Sequence, residues 1–253
     1  TRAKPDAIFP IVAVPTTAGT GSEVGRASVL TNSVTAEKKI IFHPQILPKV
    51  VICDPELTVE MPKSITAGTG LDAFAHCVEA FSSPHYHPMS QGIAVEGMRL
   101  VIENLGKVYL DGSDVEARAN MMSAALMGAT AFQKGLGAIH ALSHPIGAMH
   151  HTHHGTTNAV CMPAVLRLNE LKIQQRFDSV SGYLGIKNGF SGFKAFVDQF
   201  NASLNIPSKL GDLGVENPDL EKLVNGALSD PSCGGNPVEL NETNVRALFE
   251  EVL

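Results

Sequence analysis

The chain has 253 residues, of which 44% are hydrophobic and 17% charged, a composition typical of an ordinary globular protein. Its net charge of −6 and the lack of a Lys/Arg run argue against a surface that binds nucleic acid. The longest apolar stretches, such as residues 159–166, are far shorter than the roughly 20 residues of a membrane-spanning helix, so we expect no membrane association.

The cysteines are scattered along the chain, without a CxxC pair or a regular spacing: Cys53, Cys77, Cys161 and Cys233. This pattern predicts neither a disulfide framework nor a cysteine zinc site. The first ten residues also lack the apolar core of a signal peptide. We therefore expect a cytoplasmic protein.

Short apolar runs bounded by turn-forming residues occupy positions 8–60. Their length and their Val and Ile content predict strands in IFPIVAVP, GRASVLT, KKIIFHP and KVVICDP. Two of these runs are apolar enough to be buried on both faces of a sheet. Strands without intervening helices leave an open edge, which soluble proteins normally cover. We interpret this region as the closing part of an α/β layer whose beginning is missing, and its edge predicts a homo-oligomer.

Helical spacing of apolar residues begins after residue 64. It predicts helices over residues 65–82, 89–105, 113–134, 136–149 and 156–169. The third helix opens with Ser113 and Glu116 in capping-box spacing and stops at Gly135. Pro163 is expected to bend or interrupt the fifth. The pattern stays helical to the C-terminus, so a short β-rich piece precedes a large helical domain.

Asp72 and His76 stand four residues apart in the segment GLDAFAHCVEA. On a helix their side chains leave the same face with Cβ atoms about 5–6 Å apart, a spacing that suits two ligands of one divalent ion. A hydrogen bond between the two side chains is the simpler explanation. The apolar neighbours favour a cation, because a buried charge without a partner is costly.

A second candidate segment contains six of the ten histidines: His140, His144, His150, His151, His153 and His154. His140 and His144 share a helix face, and His154 precedes Gly155 in a predicted loop. The run HHTHH by itself is typical of a solvated loop. The spacing alone leaves open which of the six bind a metal.

The segment PTTAGTGSEV follows the first predicted strand. Small, hydroxyl-bearing and glycine residues at the end of a strand allow a phosphate or a nicotinamide to approach the backbone closely. The segment is not a GxGxxG motif, and a Thr/Gly turn without a ligand is common. It is a weak signal when taken alone.

Four segments in this order resemble the iron-containing alcohol dehydrogenases: VPTTAGTGSEV, TAGTGLDAFAHCVEA, KGLGAIHALSHPIGA and HHGTTNAV. The resemblance runs from about residue 8 to the C-terminus. It implies a dehydroquinate synthase-like fold, in which residues 1–61 are a remnant of the α/β dinucleotide-binding domain and residues 62–253 form the helical metal-binding domain. The family's GGGSxxD phosphate loop precedes the equivalent of residue 1, so the chain resembles a fragment, and we expect it to bind a dinucleotide weakly.

The resemblance also implies roles for individual residues. Metal ligands are implied at Asp72, His76, His140 and His154. His144 is the implied catalytic residue, which either relays the proton of the alcohol or packs beside the nicotinamide. Cofactor contacts are implied at Thr16, Thr17, Thr20, Ser22, Lys38 and Leu57. We expect the substrate to lie near Phe132, Met149 and His150.

The implied cofactors are Fe(II), with zinc as the alternative ion, and NAD or NADP. The metal would act as a Lewis acid while hydride passes between a small alcohol and the nicotinamide. Other readings remain open within the same fold: a zinc polyol dehydrogenase, a dehydroquinate synthase-like lyase, or a metal-free maleylacetate reductase, against which the four filled ligand positions argue. A non-catalytic helical metal-binding module is the alternative outside enzymes.

Overall fold

A computed structural model describes residues 8–31 and 38–253 of the chain. The strands in these residues are short and form two separate pairs: β1 (Val12–Ala13), β2 (Ala27–Thr31), β3 (Lys38–Phe42) and β4 (Val50–Val51). β1 runs parallel to β4, with Val12 opposite Val50. β2 and β3 are antiparallel, with Ser28 opposite Ile41. The predicted β-rich piece is therefore present.

The expectation that two of these strands are buried on both faces is wrong for the structure as it stands. Val12 is 60% exposed and Val50 is 49% exposed. Each strand pairs with a single partner within residues 8–31 and 38–253, so neighbouring strands do not cover it. The apolar sequence of these strands is nonetheless what a sheet covered by helices requires.

The helical part begins at Lys63 and continues to the last residues. Its helices are α1 (Lys63–Ser82), α2 (Pro88–Leu110), α3 (Val115–Ala131), α4 (Ala138–His150), α5 (His154–Val180), α6 (Gly189–Ser203), α7 (Leu220–Leu228) and α8 (Glu242–Val252). Within the described ranges, none of these helices combines the length and the apolar character that crossing a bilayer requires. The predicted order of a β-rich piece followed by helices is confirmed.

α1 lies at the centre of the helical part and packs against α2, α3 and α5. It is buried on nearly all sides, as expected for a helix whose apolar and small residues extend around its circumference. Small residues allow α3 to approach it closely. A Cβ on Gly128 would lie 3.0 Å from the carbonyl oxygen of Ala73, so the backbones of α3 and α1 are in direct contact there.

The helices differ from the prediction in their ends, at one cap and at one proline. α2 and α5 extend to Leu110 and Val180, beyond the predicted ends at residues 105 and 169. α3 is capped by Asp114, which accepts a hydrogen bond from the N–H of Ala117 at 2.9 Å, and not by Ser113. α5 continues through Pro163 without interruption. A proline removes the N–H that would bond the carbonyl four residues earlier. Asn201 of α6 supplies a replacement, because its side-chain amide donates to the carbonyl of Ala159 at 2.8 Å.

Candidate metal centre

Asp72 and His76 lie one turn apart on the face of α1 that meets α4 and α5. Both side chains are buried, and Nε2 of His76 is 3.8 Å from Oδ1 of Asp72. The residues around them on α1 are apolar or small, so the carboxylate sits in an interior with little water. A charge in such a place needs partners of opposite charge.

Two further histidines come to the same carboxylate oxygen from separate helices. Nε2 of His140, on α4, is 3.7 Å from Oδ1 of Asp72, and Nε2 of His154, the first residue of α5, is 3.5 Å from it. The rings of His76 and His140 stack with centroids 4.7 Å apart. Donor atoms of Asp72, His76 and His140 all lie within 4.8 Å of one another. The structure thus brings together the four residues for which the resemblance implies metal binding.

Local packing fixes the position of His154. Gly155 follows it, and a Cβ at Gly155 would overlap the carbonyl oxygen of Gly68 on α1. His153 precedes it and caps α5, since its Nδ1 accepts a hydrogen bond from the N–H of Thr156 at 3.3 Å. His154 is therefore in the first turn of the helix and not in the predicted loop. His153 is the N-cap of α5.

The electrostatics of the cluster suit a cation. Burial lowers the pKa of His76 to about 4, against the opposing effect of Asp72, and it lowers the pKa of His154 as well, so both imidazoles are neutral with a lone pair to offer. Burial would raise the pKa of Asp72, but the imidazoles of His76, His140 and His154 hold it well below its usual range. Burial also opposes a charge on His140, but Glu79 and Asp72 outweigh it and raise its pKa to about 10.

One anionic oxygen and three ring nitrogens, buried except at the partly exposed ring of His154, are the kind of donor set that binds Fe(II), Zn(II) and related divalent ions. The rings of His76 and His154 turn Nε2 towards the carboxylate, and their Nδ1 atoms have no hydrogen-bond partner among the described residues. The residues therefore fit a divalent metal ion.

Sequence reasoning missed three residues at this site, two that contact the cluster and one that contacts His144 beside it. Asn158 donates from its side-chain amide to Oδ1 of Asp72 at 2.8 Å, and the same nitrogen is 3.2 Å from Nε2 of His140 and of His154. Glu79 and Asp230 contact His140 and His144 respectively. Spacing offered a signal for two of them, because Asn158 lies one turn after His154 and Glu79 one turn after His76.

His144 lies beside the cluster and not within it. Its ring stacks on that of His154 with centroids 5.4 Å apart and meets that of His140 edge-on at 5.8 Å. Its Nδ1 is 2.7 Å from Oδ2 of Asp230, which lies in the loop between α7 and α8. The side chains of His144 and His154 are both partly exposed, whereas those of Asp72, His76 and His140 are buried.

The segment PTTAGTGSEV, residues 15–24, forms a turn that packs on α1 close to Asp72, and we call it the threonine-glycine turn. Ala18 is buried, and a Cβ on Gly19 would lie 2.8 Å from the side chain of Thr69, which is one turn before Asp72. The hydroxyl-bearing side chains predicted to contact the cofactor are exposed on this turn: Thr16, Thr17, Thr20 and Ser22. Small residues hold the turn on the helix while its hydroxyl groups face outwards.

The other predicted contact residues lie in different settings. Leu57 is 45% exposed on a 3-10 turn before α1. Lys38 begins β3, and its side chain lies outside the described part of the structure. Phe132 has its ring 4.9 Å from that of His76, between centroids. Met149 and His150 are at the C-terminal end of α4 and are partly exposed.

Comparison with known proteins places this geometry in a family. Residues 66–253 match the profile of the Fe-containing alcohol dehydrogenase family, C-terminal, and residues 1–55 match the profile of iron-containing alcohol dehydrogenase. The chain is 40% identical to a 4-hydroxybutyrate dehydrogenase of Cupriavidus necator over 97% of this chain and 66% of the relative. It is 37% identical to a 1,3-propanediol dehydrogenase of Citrobacter freundii over 96% of this chain and 65% of the relative.

Solved structures agree. A 1,3-propanediol oxidoreductase superposes with a TM-score of 0.92 at 36% identity, over 96% of this chain and 66% of that protein. A sulfoacetaldehyde reductase from Bifidobacterium kashiwanohense, solved with NAD+, superposes with a TM-score of 0.88 at 29% identity, over 96% of this chain and 65% of that protein. The chain spans just under two thirds of the length of each of these four relatives. It belongs to the Fe-containing alcohol dehydrogenase family.

Proposed function

We propose that this chain carries the metal centre and part of the nicotinamide cleft of an NAD(P)-linked, metal-dependent alcohol dehydrogenase. The observation that carries the proposal is the convergence of three Nε2 atoms, from His76, His140 and His154, on Oδ1 of Asp72. These four residues would hold the metal, for which we propose Fe(II), with Zn(II) as the alternative. When bound, the ion supplies Lewis-acid polarisation of an alcohol or carbonyl oxygen.

Three other residues at the site would position the ligands, the proton and the substrate. The side chain of Asn158 hydrogen-bonds Asp72 and so fixes the carboxylate. His144, whose Nδ1 contacts Asp230, has its other ring nitrogen available for the hydroxyl proton of a substrate. Phe132 packs on His76 and would restrict the space for substrate on that side. These positions support hydride transfer between a small alcohol and a nicotinamide, with His144 holding or moving the proton.

We place the boundary between two domains at residues 61 and 62. Residues 1–61 would be a remnant of the dinucleotide-binding domain, and residues 62–253 the helical metal-binding domain. The change from paired strands to helices at Lys63 supports this division. The exposed hydroxyl-bearing residues of the threonine-glycine turn support a cofactor contact there, together with Lys38 and Leu57.

The substrate we propose is a short primary alcohol, diol or hydroxy acid. The names of the relatives support this class, because 4-hydroxybutyrate and 1,3-propanediol both carry a primary alcohol. We further propose a cytoplasmic homo-oligomer. The four cysteines are unpaired, as suits a reducing compartment, and exposed apolar residues on β1 and β4 favour association between copies.

Metal content of the anaerobically purified chain tests the site. We expect one iron or zinc ion per chain, and loss of the ion in Asp72→Asn and His76→Ala. His151→Asn is a matched control, because His151 is exposed and has a positive φ of 56°, which asparagine tolerates. This control should keep the ion. A wild-type chain without stoichiometric metal would contradict the proposal.

Titration with NADH separates the dehydrogenase from a metal-binding module. We expect NADH to bind weakly and to compete with NAD+, and we expect substitution of Thr20 or Ser22 to weaken that binding further. Metal retention without any NADH binding would favour the non-catalytic module for this chain.

A further inference from the structure

Glu79 reaches the metal centre from the same face of α1 as two of the proposed ligands. Asp72, His76 and Glu79 are spaced four and three residues apart, so their side chains leave one side of the helix in successive turns. Glu79 is buried, with 5% of its surface exposed. Its carboxylate lies between α1 and the start of α4, at the ring of His140.

The two carboxylate oxygens of Glu79 contact different groups. Oε1 accepts a hydrogen bond from the N–H of Ile139 at 2.7 Å, in the first turn of α4. α4 follows Gly137 without a local side-chain cap, and Asn236 accepts from the N–H of Ala138 at 3.2 Å. The role of Oε1 is therefore to cap the N-terminus of α4. The second oxygen, Oε2, is 2.5 Å from Nδ1 of His140.

The contact at Oε2 determines which nitrogen of His140 can bind a cation. An ionised carboxylate only accepts hydrogen bonds, so the contact with Glu79 holds a proton on Nδ1, and Nε2 is the nitrogen that can give up its proton and offer a lone pair to a cation. Nε2 is the atom that lies 3.7 Å from Asp72. Histidines that bind metals commonly donate their other N–H to a carboxylate in this way. Among the described residues, His76 and His154 have no partner at Nδ1, so His140 is distinguished from them.

We propose that Glu79 is a positioning residue of the metal centre, which accepts a hydrogen bond from Nδ1 of His140 and thereby directs Nε2 at the metal ion. The proposal rests on the proposed function, because it concerns the same site. Glutamine cannot replace Glu79. Its single acceptor oxygen serves either Ile139 or His140. In the first case its NH2 group donates to Nδ1 of His140 and holds the ring in the wrong tautomer, and in the second case it faces the N–H donor of Ile139.

Zinc affinity of the full chain tests the role of Glu79. In competition with a chelator, we expect Glu79→Gln to bind Zn2+ roughly tenfold to hundredfold more weakly than the wild type. Asn236→Ala is the matched control, since it removes a cap of α4 but leaves the contact between Glu79 and His140 in place. It should unfold at a lower denaturant concentration and keep the zinc affinity of the wild type.

A second measurement needs no variant to fold. Nitrogen-15 NMR of the zinc-loaded wild type should show the His140 proton on Nδ1 and zinc on Nε2. Zinc on Nδ1 of His140, wild-type affinity in Glu79→Gln, or equal weakening in Glu79→Gln and Asn236→Ala would each overturn the inference. Failure of the wild type to bind Zn2+ would instead overturn the proposed metal site itself.

Discussion

Asp230 hydrogen-bonds Nδ1 of His144 through Oδ2 at 2.7 Å, although the two residues are 86 positions apart. Asp230 also caps its own 3-10 turn, because Oδ1 accepts from the N–H of Ser232 at 2.8 Å. The hydrogen bond from Ser232 therefore fixes the carboxylate through Oδ1, while Oδ2 orients the imidazole of His144. With the proton on Nδ1, the free nitrogen of His144 is an acceptor on the side away from Asp230.

Substitution of His144 should separate chemistry from metal binding. We expect His144→Ala to keep the metal and to lose on the order of a hundredfold or more in kcat for alcohol oxidation. Asp230→Asn should lose roughly tenfold to hundredfold, because its amide no longer holds the proton on Nδ1. The double variant should be no slower than His144→Ala, which steady-state kinetics of the complete enzyme would measure. Full activity in His144→Ala would eliminate the role of His144 as a relay.

The same carboxylate should make stability depend on pH. Burial alone would raise the pKa of Asp230, but the hydrogen bonds from His144 and Ser232 lower it. A carboxyl whose pKa is lower in the folded state stabilises the fold above its unfolded pKa of about 3.9 and loses that contribution as the pH falls. Between about pH 6 and about pH 3, the free energy of unfolding of the wild type should therefore fall more than that of Asp230→Asn. Urea titrations at each pH test this, and parallel curves would contradict it.

The threonine-glycine turn should not tolerate a side chain at Gly21. This residue has a positive φ of 60°, and a Cβ there would overlap the carbonyl oxygen of Ala125 on α3. We expect Gly21→Ala to lower the free energy of unfolding by more than about 1 kcal/mol.

Gly106→Ala is the control for that substitution. Gly106 lies inside α2 with open space around its Cα, so alanine should stabilise the helix by up to about 1 kcal/mol. Denaturant unfolding of both variants measures the difference. Equal stability of Gly21→Ala and the wild type would show that the turn does not rest on α3 as described.

Lys134 should stabilise the end of α1. Its Nζ donates to the carbonyl oxygens of Ala80 and Ser83 at 3.0 and 2.8 Å, and Arg176 donates to Ser83 at 2.8 Å. Arg176 would still serve Ser83, but the carbonyl of Ala80 would lose its donor, so Lys134→Met should cost roughly 1–3 kcal/mol of stability. The exposed Lys172 provides the control, because Lys172→Met should change stability by less than about 0.5 kcal/mol. Similar unfolding midpoints for the two variants would refute the role of Lys134.

Local sequence patterns were sufficient for the order of the elements. The four apolar runs became β1 to β4 in shortened form, and the five predicted helices correspond to α1 to α5. Their ends were less predictable. Pro163 reads as an interruption of α5, but the structure keeps the helix because Asn201 bonds the carbonyl that the proline leaves free. No pattern in the neighbourhood of Pro163 contains that information.

The sequence by itself determined that Asp72 and His76 share a face of one helix, because helical periodicity fixes the direction of residues four positions apart. Resemblance to a family, and not spacing, singled out His140 and His154 from six clustered histidines. Only the tertiary structure decided which atoms meet: Nε2 of both rings at Asp72, Nδ1 of His140 at Glu79, and Nδ1 of His144 at Asp230. Contacts between distant segments depend on how α1, α4 and α5 pack, and helix packing is a property of the whole fold.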